Sequence, residues 1–172
     1  MAALTPNLLI QRLGLDAPAA VITPAMWNAV VDALDGPAVV LIPDASTYTF
    51  LAANSGKLHI APNFTNTCTF SFPAALPGYK FPVLYGGAAA DGQNWVFNTL
   101  SDLKYFVGSV LWLTHTTGDA VDPVYSDGNS NSKLTVVTPA GGSKVIFTGG
   151  PSGTWYVEGV VASATTPAFA DQ

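Results

Sequence analysis

A single cysteine, two histidines and one run of oxygen-bearing side chains are the residues with the best prospects for chemistry in this chain. Cys68 stands in NTCTFSF, where Cys68, Phe70 and Phe72 point one way along a strand and Thr67, Thr69 and Ser71 the other. That alternation predicts a buried thiol, and a thiol in apolar surroundings is a poor nucleophile. His59 is expected on the polar face of a strand with Lys57, alternating with Leu58 and Ile60. His115, in WLTHTTGD, is close in sequence to Asp119, so a Ser/His/Asp set can be drawn on paper. No serine occupies a G-x-S-x-G elbow, and a triad is defined by geometry rather than by loose residues.

The loop Asp119–Asn131, DAVDPVYSDGNSN, offers hard oxygen ligands, and Asp127, Asn129 and Asn131 have the spacing that opens a calcium loop. The match ends there. Ser132 stands where that loop needs glycine and Thr138 where it needs glutamate, so the segment reads as a surface loop capping its own backbone. GGAAADG and GGPSG carry no phosphate-binding lysine and read as connections in a sheet protein. The expectation is therefore no catalytic residue, no metal ligand, no cofactor and no enzymatic turnover.

The elements that would hold these residues change period along the chain. TPNLLIQRLG and TPAMWNAVVDALDG each place Thr as an N-cap, Pro at the first helical position and Gly beyond the end. From Pro37 onward the period is two, in eight to ten short runs separated by Gly, Pro, Asn and Asp. The fold expected is all-β, an antiparallel sandwich or barrel with a jelly roll as one form, plus short N-terminal helical segments. Residues 1–36 would be a helical appendage or arm, 37–162 the β domain and 163–172 an extended C-terminal tail. Cys68, Phe70, Phe72, Phe81, Val83, Trp95, Phe97, Trp112, Trp155 and Val157 are the expected interior.

Composition narrows the function classes. Charged residues are 10% of the 172, against roughly 25% in a typical domain, while hydrophobic residues are 49%. Such a surface relies on hydroxyls, amides and backbone, or is covered by other copies or a partner. With 6 basic and 11 acidic residues there is no basic stripe to track a phosphate backbone, so nucleic acid is not an expected partner. The start MAALTPNLLIQRLGL lacks the grammar of a signal peptide, and YFVGSVLWL is about half the length of a membrane-spanning helix, so no membrane is expected either. Trp95, Trp112, Trp155, Tyr79, Tyr85 and Tyr156 raise one alternative, a sugar-stacking face on a β-sandwich.

The order of phrases adds a resemblance over about residues 46–172. SGKLHIAPNFTNTCTFSFPAALPGYKFPVLYGG, then DGQNWVF, VYSDGNSNSKLTVVTPAGG and GTWYVEGVVASATTPAFADQ, resembles small structural proteins of tailed bacteriophages, and is most similar to capsid decoration (cement) proteins. The resemblance implies a β-rich virion protein on the outer surface of the capsid, bound to the major capsid protein lattice and self-associated, often as a homotrimer. It brings no catalytic residue. The positions carried over are Ser55-Gly56-Lys57 turning into a strand, Pro77-Gly78-Tyr79 turning into the next, and Trp155, Tyr156 and Gly159 in the closing strand. A tail or fibre-associated role is the alternative within the same group.

Overall fold

The period-2 runs become strands throughout residues 39–114 and 121–172, which are the residues described by the computed structural model. The appendage expected over 1–36, together with His115 and Asp119, lies outside the described residues. In chain order the strands are β1 (Val39–Leu41), β2 (Thr47–Thr49), β3 (Leu58–Ala61), β4 (Cys68–Ser71), β5 (Lys80–Tyr85) and β6 (Trp95–Asn98). They continue with β7 (Phe106–Thr114), β8 (Val121–Tyr125), β9 (Lys133–Val136), β10 (Lys144–Gly149), β11 (Trp155–Ser163) and β12 (Ala168–Ala170).

Two sheets result, a seven-stranded one ordered β1-β3-β5-β10-β11-β7-β8 and a five-stranded one ordered β12-β9-β6-β4-β2. The all-β expectation holds, but the antiparallel one does not. Half of the pairings are parallel: β1 with β3, β3 with β5, β7 with β11, β2 with β4 and β4 with β6. The cause is how the chain turns. From β1 to β7 every strand lies in the opposite sheet from the one before it. The turn-forming stretches PDAS, between β1 and β2, and PAALPG, between β4 and β5, are arches that carry the chain across the roughly 10 Å between layers. Each arch reverses direction, so strands two apart in sequence lie side by side and parallel.

Between the sheets the alternation puts large side chains on one core. Phe50, Phe70, Phe81, Phe97, Phe106, Phe147, Trp95 and Trp155 are all fully buried, as is Cys68. Phe72 is the hub. Its ring lies 4.7 Å from Phe147, 4.9 Å from Trp155 and 4.7 Å from Phe50, and it also meets Phe81, Phe97 and Phe106. Gly108 interrupts the apolar β7 for a steric reason. Its φ is +133°, and a Cβ there would run into the Val157 carbonyl oxygen of the neighbouring strand.

Three details depart from expectation. Trp112 is only partly buried, on β7 beside the edge strand β8, its indole N–H donating to the Ser163 carbonyl at 3.1 Å. His59 faces the core rather than the polar side, since its partner across the ladder is the buried Val83. The residues expected as an extended tail contribute β12, which pairs with β9 and packs Phe169 against the core.

Because Phe72 bridges both layers, Phe72→Ala should cost about 3–5 kcal/mol in urea unfolding, whereas Phe72→Leu should cost less than half of that. Leu103→Ala, at a position 80% exposed, should move the midpoint by no more than about 0.5 kcal/mol. Equal midpoints for the two Phe72 variants would contradict the hub.

Candidate interaction surface

The residues that looked reactive in the sequence are kept apart. Cys68 is buried, and burial, with Asp44 and Asp91 adding to it, pushes its thiol up to about 12, which leaves no thiolate near neutral pH. His59 is fully buried with Tyr48, Phe50 and Phe81 edge-on around it, the Phe50 ring centre 5.0 Å away. Burial lowers its pKa, outweighing the nearby Lys57 and Pro82 carbonyls that favour the protonated ring. Neither ring nitrogen meets a partner at hydrogen-bonding geometry.

Asp127 folds its loop around itself. One carboxylate oxygen accepts the backbone N–H of Asn129, Ser130 and Asn131 at 3.0, 3.0 and 3.1 Å, and the other accepts the Ser130 hydroxyl at 2.8 Å. These bonds, that of the Ser130 N–H first, hold the carboxyl well below the usual carboxylate range. Its oxygens serve the backbone, as the sequence suggested. Among the described residues no three His, Cys, Asp or Glu side chains converge as metal ligands.

What the fold does assemble is a pair of contrasting outer faces. On the five-stranded sheet the outward rows are Thr47, Thr69, Val96 and Thr135, then Thr49, Ser71, Asn98 and Lys133. This is a hydroxyl-rich wall. On the seven-stranded sheet the register aligns Leu41, Ile60, Leu84, Lys144, Val160, Leu111 and Pro123 in one outward row. The next row reads Val39, Leu58, Pro82, Ile146, Glu158, Ser109 and Tyr125. Val107, Leu113, Val121 and Tyr156 extend it, and Lys80, Lys144 and Glu158 are its charged residues.

An apolar sheet face of this breadth is uncommon on a free monomer, where large contiguous patches mark interaction sites. Two shallow depressions lie at its middle, one lined by Lys144, Ile146, Glu158, Gly159 and Val160, the other by Val107, Gly108, Thr148, Tyr156, Val157 and Glu158. Glu158 borders both. Trp95 and Trp155 are buried and present no ring to a sugar, while Tyr156 and Tyr125, 47% and 68% exposed, stand on the apolar face.

The two ends of the strands also differ. At one end Asp91 accepts the N–H of Phe64 at 3.1 Å and of Gln93 at 3.0 Å, and Asp44 accepts the N–H of Thr65 at 2.9 Å, tying arches together. At the other, the loops after β2, β4 and β6 carry exposed leucines, Leu51, Leu76, Leu100 and Leu103. Leu100 has a φ of +62°, held by the Asn98 carboxamide oxygen, which accepts its N–H at 2.6 Å. A non-glycine residue strained by about 1–3 kcal/mol to present an exposed leucine belongs more naturally to a contact surface than to a core. Sequence reasoning missed both surfaces. The signal for the sheet face was the excess of apolar residues over what one core can hold.

No protein-family model and no curated protein matches this chain. Among the described residues no helix is long and apolar enough to cross a membrane.

Two measurements check these placements. Since the folded-state pKa of His59 is lowered, the unfolded chain takes up a proton first as pH falls. The contribution of His59 is therefore fully present above its ordinary pKa of about 6.5 and diminishes below it. His59→Phe should be progressively favoured over the parent in unfolding free energy as pH drops through that range, and a pH-independent difference would place the ring in water. Leu100→Gly should leave stability unchanged or raise it by up to about 1 kcal/mol, the relief of strain offsetting the added chain entropy. A clear loss would show that Leu100 packs in the fold.

Proposed function

We propose that this chain is a non-enzymatic structural protein of a phage particle, a sandwich rather than a closed barrel, that binds the outside of the major capsid lattice as a homo-oligomer. The single observation carrying this reading is the broad apolar face of the seven-stranded sheet, which carries so few charges that covering it with protein, first of all another copy in the homo-oligomer, removes little hydration from polar groups. The phrase pattern of residues 46–172 supports the same reading. Reactive groups buried or engaged with their own backbone, as at Cys68, His59 and Asp127, fit a protein that works by contact.

The role is thermodynamic. A protein that bridges neighbouring capsid subunits and does not bind them when separated lowers the free energy of the assembled shell by binding linkage, by about 2.7 kcal/mol per site at a concentration one hundred times its Kd. Repetition over a symmetric lattice raises the effective concentration of every later contact. Cryo-electron microscopy of intact particles is the test. Density for this chain on the capsid faces is the expected result; density confined to the tail tip would replace the decoration role with a tail-associated one, and absence from purified particles would remove both.

A further inference from the structure

We propose that the outer face of the seven-stranded sheet is covered by a second copy of this chain, packed face to face about a two-fold axis that pairs Lys144 of each copy with Glu158 of the other. The inference deepens the structural role above and rests on charge placement within an otherwise apolar face. Lys144 and Glu158 lie on adjacent strands, one outward row apart, since Lys144 is opposite Val160 and Ile146 is opposite Glu158. A lysine and a glutamate set diagonally at the middle of an apolar face complement an identical face, because a dyad through the midpoint of their diagonal exchanges them. Glu158 borders both central depressions, so the partner's lysine has a recess to enter beside it.

The geometry of that dyad follows from sheet dimensions. Strands about 4.8 Å apart and outward residues about 6.7 Å apart along a strand incline the diagonal by about 36° to the strands. An in-plane axis perpendicular to it makes the strands of the two copies cross at about 70°, close to the orthogonal class of sheet packing. Seven strands about 20 Å long offer a face of roughly 700 Å². Crossed at this angle, the faces overlap over roughly 400 Å² per copy, the size of a weak, transient association rather than of a permanent dimer. The pair should therefore dissociate in the micromolar range in solution and tighten where copies are held close together. The association is two-fold, in place of the three-fold one that the phrase resemblance implies.

Sedimentation velocity of the full chain, from low to high micromolar, is the test. The parent should shift from monomer to dimer. Glu158→Lys alone and Lys144→Glu alone should each set like charges against each other across the dyad and weaken the dimer by tenfold or more, while the double exchange should recover most of the affinity. Leu111→Arg should also dissociate it, with circular dichroism confirming that each variant is folded. A dimer indifferent to all of these, a trimer, or a chain that stays monomeric throughout would each overturn the proposal. A full chain that is monomeric but dimerises once residues 1–36 are removed would assign the face to the chain's own N-terminal segment and also overturn it. Particle binding is read separately: a charge-swap-rescued dimer that fails to bind particles would leave this inference standing and remove the decoration role.

Discussion

The ring of Phe72 meets four aromatic rings on the seven-stranded side, Phe81, Phe106, Phe147 and Trp155, and two on the other, Phe50 and Phe97. Neither sheet could hold its shape alone. With so few charges available to build ion-pair networks, the stability of the layers rests on apolar contact, and rings bury more area per residue than any aliphatic side chain. The second aromatic group, around Phe70, joins Tyr48, Phe64, Trp95 and Phe97 and extends the same core toward the end where Asp91 and Asp44 tie the arches. Hydrophobic packing at the centre and carboxylate capping at one end thus divide the labour of fixing the chain.

Much of the strand pattern was legible because alternation between small polar and large apolar residues leaves one choice of face. Cys68, Phe70 and Phe72 against Thr69 and Ser71 is such a case, as is Trp155 and Val157 against Tyr156 and Glu158. The choice failed where both faces are apolar. In Lys57-Leu58-His59-Ile60 the apolar residues Leu58 and Ile60 turn outward, onto a face that is itself apolar, and His59 turns in. The rule that apolar residues point to the core assumes that the other side meets water. Here that assumption breaks at the surface proposed to carry the function.

Pairing direction was illegible for a different reason. A turn-forming stretch such as PDAS has the same composition whether it closes a hairpin or arches between layers, since both need exposed backbone and residues that tolerate bends. Which one forms depends on where the next strand finds its apolar partners, a property of the whole core. The exposed leucines at the loop end were equally hidden, because a leucine in a loop carries no sign of its exposure. Only the left-handed backbone at Leu100 marks one of them as held in place, and that is visible only in the fold.

The alternation of the chain between layers also sets how the protein is made and lost. The nine-residue parallel ladder between β7 and β11 joins Phe106 to Trp155 and Thr114 to Ser163, partners that are far apart in sequence. Contacts of such range form only after long loops have closed, so the entropy of closure is met before the ladder returns anything, and folding is slow compared with a protein of local hairpins. The same interlacing ties β3 and β5 of one sheet through short connections to β4 of the other. Opening in one layer is then coupled through the chain to the other, and a protein built this way can keep its shape through the height of its unfolding barrier as well as through the depth of its minimum.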